Sequence, residues 1–146
     1  MSSILSVSFT QAKPAIQGLL AEYLAEIKAT TGRKPRWEMY ETLEKLGLLY
    51  TIVVSVDGVI GGFCLVVISP ELTDEDAVTA TCLSYFVAKK HRLGGVGIKL
   101  LAKAEAVAKE HNAKYIIVLS QIANDIGKLL SNKGYTALET AYRKEI

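Results

Sequence analysis

Cysteine is scarce here: only Cys64 and Cys82 occur among 146 residues, both inside apolar, strand-like runs. Two such thiols read as buried core groups, and a chain of this length does not depend on a disulfide framework. Histidine is equally rare. Neither His91 nor His111 has a Cys or His at ligand spacing, so no metal is expected. An excess of either charge is missing too. Seventeen basic and 15 acidic residues leave a net charge of +2, not the field of a nucleic-acid-binding domain, so no nucleic-acid partner is expected. Long hydrophobic runs are absent: the longest, Val59 to Ile68, contains Gly61 and Gly62 and is too short to span a bilayer. Met1 to Leu5 has neither the basic region nor the apolar core of a signal peptide. The expectation is a soluble cytoplasmic protein of a reducing compartment, with no membrane partner.

What is present is a 50% hydrophobic chain long enough to bury one core, so residues 1–146 are expected to form a single domain. Ile4 to Phe9 alternates as a first strand, and Thr10 is placed to cap the next helix. Ile16, Leu19, Leu20, Tyr23, Leu24 and Ile27 form that helix's apolar stripe, with Thr30-Thr31-Gly32 as its stop. After the basic connector Arg33-Lys34-Pro35-Arg36, Trp37, Tyr40 and Leu43 predict a short helix closing at Gly47. Leu49–Val56 and Val59–Ile68 are β-branched runs joined by Asp57-Gly58, a two-residue hairpin signal. An acidic loop (Glu71, Asp74, Glu75, Asp76) precedes a strand over 77–87. A helix follows that buries Val96, Leu100, Leu101, Ala104, Val107 and Ala108. Lys114 to Leu119 reads as a strand buried mid-sheet. Ile122, Ile126, Leu129 and Leu130 stripe a last helix ending at Gly134, and Tyr135 to Lys144 is expected to add one or two terminal strands. The order β-α-α-β-β-β-α-β-α-β predicts an α/β fold: a mixed central sheet, with a right-handed parallel crossover and helices on both faces.

The chemistry-bearing stretch is Tyr85 to Glu110. A strand ending Tyr85-Phe86-Val87 and a basic connector, Lys89-Lys90-His91, lead into Arg92-Leu93-Gly94-Gly95-Val96-Gly97-Ile98, and the helix that leaves has no acidic residue in its first two turns. Amides at a helix start lack intrahelical partners and sit at the positive end of the helix dipole, so glycines that admit close approach make a phosphate cradle. The spacing matches neither G-x-x-x-x-G-K-[ST] nor G-x-G-x-x-G, which excludes those two nucleotide fingerprints.

Arg92-x-x-Gly95-x-Gly97 resembles the [QR]-x-x-G-x-[GA] segment of the GCN5-related N-acetyltransferase (GNAT) family. The predicted element order is similar to that family's, and so is the tail Asn124-Asp125-x-Gly127-x-Leu129-Leu130-x-x-x-Gly134-Tyr135, with Glu139 and Tyr142 beyond it. The match is most like small stand-alone phage and bacterial members. The resemblance implies acetyl-coenzyme A as cosubstrate. Its pyrophosphate would lie on Arg92, Leu93, Gly94, Gly95, Val96, Gly97 and Ile98, and its pantetheine arm along the main chain of Tyr85, Phe86 and Val87 and near Asn124.

Acetyl transfer from a thioester needs a neutral amine, a donor for the developing oxyanion and a proton for the thiolate. Many relatives carry a tyrosine as general acid four residues before the closing glycine. Here that position is Leu130, and the strand over 77–87 has no carboxylate to act as base. Tyr85, Tyr135 and Tyr142 are the remaining candidate acids, each read first as a structural aromatic, and Trp37 and Tyr40 are read first as core. Two functions stay open: an acyltransferase acting on a primary amine of a small molecule or protein, and a non-catalytic module of the same fold that binds coenzyme A or a protein partner. A homodimer is compatible with either.

Overall fold

The computed structural model describes residues 1–28 and 34–146. One five-stranded sheet runs β1 (Ser2–Val7), β2 (Leu49–Val56), β3 (Val59–Pro70), β4 (Val78–Val87), β5 (Tyr115–Val118), in that spatial order. The first four strands pair antiparallel, and β5 joins β4 in parallel after a helical crossover. Asp57 and Gly58 turn the β2–β3 hairpin with φ of 50° and 82°, the left-handed pair that matches the twist of the flanking strands.

Both faces of the sheet are covered. Helix α1 (Phe9–Glu26) packs Phe9, Ala12 and Ile16 against Val53, Phe63, Leu65 and Phe86, and helix α2 (Trp37–Lys45) lays the half-buried Trp37, Tyr40 and Leu43 on the same cluster. Helix α3 (Val96–Glu110) packs against Ile52, Val54, Cys64, Val66 and Cys82 on the opposite face. The six residues expected to face inward from α3 are all buried, and burying a side chain such as Leu100 or Leu101 contributes about 1.5–3 kcal/mol. Trp37 and Tyr40 stack on Phe9, at centroid distances of 6.2 and 5.3 Å, which makes them core aromatics. Cys64 and Cys82 are buried free thiols.

Some local expectations are corrected. Helix α1 is capped by Ser8, not Thr10. Ser8 accepts the Gln11 N–H at 3.1 Å while the Gln11 side chain accepts the Ser8 N–H at 3.3 Å, a reciprocal box that Thr10 lacks because Lys13 stands three residues on. Helix α1 ends at Glu26; the expected stop at Thr30 to Gly32 lies outside the described residues, as does Arg33 of the connector. The last helix, α4, covers only Gly127–Asn132. The Asp125 carboxylate accepts from Ser120 Oγ and the Gly127 N–H, while Ser120 Oγ accepts the Ile126 N–H, and these side-chain bonds hold the preceding residues in a loop. Finally, residues 135–146 form no strand. In an extended chain Leu138, Tyr142 and Ile146 would share a face with Thr136, Thr140 and Lys144, so neither face is apolar enough to bury. Strand β5 is therefore an edge rather than mid-sheet, with Tyr115 48% exposed. A hollow of about 570 Å³ lies beside it, lined by Tyr115, Ile117, Tyr135 and Leu138 among others. Among the described residues no helix is long and apolar enough to cross a membrane.

Candidate active site

The site begins where β4 and β5 part. Their pairing runs from Thr79↔Tyr115 to Cys82↔Val118, followed by one long hydrogen bond from the Leu119 N–H to the Cys82 carbonyl at 3.4 Å. Against β3, the register of β4 shifts between Leu65 and Val66, leaving Leu83 without a cross-strand partner. Such a bulge bends and twists the strand that carries it. Beyond it, residues 84–87 remain paired to β3 while their other side faces a cleft of about 220 Å³.

The main-chain groups available in that cleft follow from alternation. The Ala88 N–H donates to the Gly61 carbonyl at 2.8 Å, so the groups of Phe86 turn toward β3, and those of Tyr85 and Val87 turn toward the open side. The Val87 carbonyl is already used, accepting from Arg92 Nε at 2.7 Å. Tyr85 N–H, Tyr85 C=O and Val87 N–H are left facing the cleft. Of the three residues expected to offer main-chain groups, Phe86 contributes instead a buried ring beneath the site.

The glycine turn closes one end. Gly94 and Gly95 have φ of 72° and 71°, the left-handed conformation that glycine adopts without steric cost. Gly95 is the N-cap of α3 with no side-chain cap, and no acidic residue stands in the first turn. The first helical bond is Lys99 N–H to the Gly95 carbonyl at 3.1 Å, so the amides of Val96, Gly97 and Ile98 precede the hydrogen-bonded ladder. A Cβ added at Gly94 or Gly95 would meet nothing within 4 Å: the space above these amides is open. Val96 is buried in the core, whereas Leu93 and Ile98 are exposed.

Gly97 has a different reason to be glycine. The Tyr85 hydroxyl donates a short hydrogen bond to the Gly97 carbonyl, and a Cβ at Gly97 would lie 2.8 Å from that hydroxyl oxygen. Burial, with the neighbouring thiols of Cys64 and Cys82, pushes the Tyr85 phenol far above its ordinary range, against the opposing pull of Arg92. Tyr85 thus lines the cleft with its proton already engaged.

Arg92 is likewise committed. Its guanidinium pairs with Glu26 of α1, its Nε bonds the end of β4, and it lies over the Phe86 ring at 5.7 Å from the centroid. The Glu22 carboxylate accepts the Lys89 N–H at 2.9 Å. Together these contacts clamp the connector after β4 to the last turn of α1.

The other candidates divide. Asn124 lines the cleft, on a loop that its own N–H ties to the Gln121 carbonyl at 3.1 Å. Tyr135 does not line it: its hydroxyl donates to Glu105 Oε1 at 2.8 Å beside the outer hollow, and burial followed by the Glu105 contact raises its pKa. Tyr142 is 93% exposed in the tail, and Leu130 is buried. The sequence did not single out Leu83, Leu119, Ser120 and Gln121, which also line the cleft. The polar break Ser120-Gln121 after the apolar run 115–119 was the available signal for the last two; a bulge at Leu83 leaves none. Among the described residues, no three His, Cys, Asp or Glu side chains gather as a metal site would require.

The sequence model of the acetyltransferase (GNAT) family matches residues 16–127. Solved structures with the same fold include an aminoglycoside acetyltransferase from an uncultured soil metagenomic sample (19% identity, TM-score 0.74), spanning 100% of this chain and 97% of that one. A ribosomal-protein-alanine N-acetyltransferase from Brucella melitensis biovar Abortus 2308 has 18% identity and a TM-score of 0.76, spanning 100% and 99%. A predicted acetyltransferase from Clostridium acetobutylicum, solved with acetyl-CoA, has 12% identity and a TM-score of 0.75, spanning 99% and 96%. No curated protein sequence matches the chain.

Proposed function

The chain belongs to the acetyltransferase (GNAT) family and is an N-acetyltransferase, and from that premise we propose that it moves acetyl from acetyl-coenzyme A to a primary amine. The observation that carries the reading is the convergence on one cleft of two unpaired main-chain features. The open edge of β4 offers Tyr85 and Val87 N–H groups, and the uncapped start of α3 offers amides with open space above Gly94 and Gly95. This set fits a thioester joined to a pyrophosphate. The amides of residues 93–98 would take the pyrophosphate, the edge of β4 and Asn124 the pantetheine arm. A β4 amide N–H would bear the charge that develops on the thioester oxygen, where a single donor is worth on the order of 2.7–4 kcal/mol.

In the reaction the amine nitrogen attacks the thioester carbonyl, a C–N bond forms, the C–S bond breaks and the thiolate departs with the electron pair. Water takes the proton from the amine and supplies one to the thiolate. We assign no side chain to either step. Strand β4 carries no carboxylate, Leu130 is buried, and the Tyr85 proton is held by Gly97. The protein's contribution is placement of the two reactants, which alone can supply much of such a rate enhancement.

The test is the pH dependence of acetyl transfer, followed by release of the coenzyme A thiol. A lysine-like amine has a pKa of about 10.4, so kcat/KM should climb steadily with pH toward the acceptor's own value. A plateau near neutrality would mean that a base on the enzyme has been overlooked.

A further inference from the structure

Helix α1 ends on two carboxylates that its own dipole does not favour. Glu22 and Glu26 stand one turn apart at the C-terminal end, where negative charge is disfavoured, and no basic residue accompanies them in the last turn. Both are taken up by the connector after β4. Glu22 accepts the Lys89 N–H at 2.9 Å, and Glu26 pairs with the Arg92 guanidinium. Arg92 serves two partners at once: its Nη2 meets Glu26 while its Nε donates to the Val87 carbonyl at 2.7 Å. The planar fork of a guanidinium allows that division, and a single ammonium does not. The other end of the same peptide unit, the Ala88 N–H, is fixed to the Gly61 carbonyl. Neighbouring residues of α1 reach the cleft itself. Tyr23 and Ile27 line it, and the Tyr23 ring meets edge-on, at 5.5 Å, the Phe86 ring over which Arg92 lies.

The side chains of Arg92 and Glu26 are 35% and 26% exposed, and a pair so open to solvent contributes little to stability. Its effect lies in what it holds. We propose that Glu26 is a positioning residue for acetyl transfer: through Arg92 it fixes the Val87 carbonyl, and so sets the end of the β4 edge, where the Val87 N–H faces the cleft, against the amides of α3. The proposal rests on the acetyl-transfer reading above and adds to it a residue from outside the glycine turn. Because Glu26 holds Arg92, the anion cradle is left to the main-chain amides.

The test titrates isotope-labelled wild-type protein, Glu26→Gln, Arg92→Lys and the double variant with coenzyme A and follows the backbone amides. Tyr85, Val87 and residues 93–98 should shift in the wild type. In both single variants the Val87 response should largely disappear while the shifts at 93–98 persist. Thiol release from acetyl-coenzyme A, with leucinamide as probe amine, should slow about tenfold in each, since small misplacements of reacting groups are costly. The double variant should be no slower than either single one. For an amine too slow to follow, the amide pattern decides alone. Glu41→Gln breaks a comparably exposed ion pair on the same helix, to Lys13, and should change neither readout. The proposal is overturned if the Val87 response survives in Glu26→Gln, if the shifts at 93–98 vanish with it, if Arg92→Lys matches the wild type, or if Glu41→Gln shows the same loss. Tighter coenzyme A binding in Glu26→Gln would overturn it too, by making Glu26 a restraint on a phosphate-binding Arg92. A wild-type protein with no coenzyme A shifts at all would overturn the acetyl-transfer reading instead.

Discussion

The Tyr85 hydroxyl bonds the carbonyl of Gly97, tying the open end of β4 to the first turn of α3 and leaving no room for a Cβ at residue 97. Gly97→Ala should therefore cost about 1–3 kcal/mol by overpacking. In a Tyr85→Phe background the obstruction is gone, and the same change should become neutral or stabilising because alanine is the better helix former. Tyr85→Phe by itself should cost about 1 kcal/mol and leave most acetyl transfer intact. Urea unfolding of the four proteins measures the coupling. Equal costs of Gly97→Ala in both backgrounds would contradict it.

Tyr135 gives a pH-dependent prediction. Its phenol is neutral and donates to Glu105, and its folded pKa stands above the ordinary 10.0. The unfolded chain therefore releases this proton first. The contribution is fully present below pH 10 and is lost as pH rises above it. Tyr135→Phe should lower stability at pH 8 by about 1 kcal/mol and flatten the alkaline decline, without changing kcat. A large loss of kcat with folding unchanged would make Tyr135 the missing acid.

Cys64 and Cys82 are 0% and 1% exposed. The neighbouring Cys82 side chain, then burial, raise the Cys64 thiol pKa, so its reactive thiolate is scarce as well as inaccessible. Labelling by a thiol reagent should follow global unfolding and accelerate in urea in step with it. Fast labelling of Cys82 in the native protein would place that thiol in the cleft and change the chemistry assigned to it.

Strong periodicity was legible in the sequence, and exceptions to it were not. The six buried residues of α3, the bounds of β2 and the Asp57-Gly58 hairpin each follow from a local pattern that tertiary packing only reinforces. The glycine turn was legible because its chemistry is main-chain and its glycines are compulsory. Arg92 was read as a phosphate ligand, yet its strongest partner is Glu26, sixty-six residues away in sequence and invisible to any local pattern. The bulge at Leu83 opens the cleft without a sequence signature. The strands expected over 135–144 do not form, because the residues there do not supply an apolar face.

The central claim is that the α3 amides and the edge of β4 together form the coenzyme A site. Titrating isotope-labelled protein with coenzyme A, and following backbone amide resonances, tests it residue by residue. The account predicts the largest shifts at residues 93–98 and at Tyr85 and Val87, with little change at Tyr115 or Tyr135 beside the outer hollow. In Gly95→Glu the side chain would bring negative charge to the cradle, and a φ of 71° adds about 1 kcal/mol of backbone strain. That variant should bind at least about tenfold more weakly, a difference of about 1.4 kcal/mol, while remaining folded. Shifts centred on the outer hollow, or unchanged affinity in Gly95→Glu, would contradict the claim.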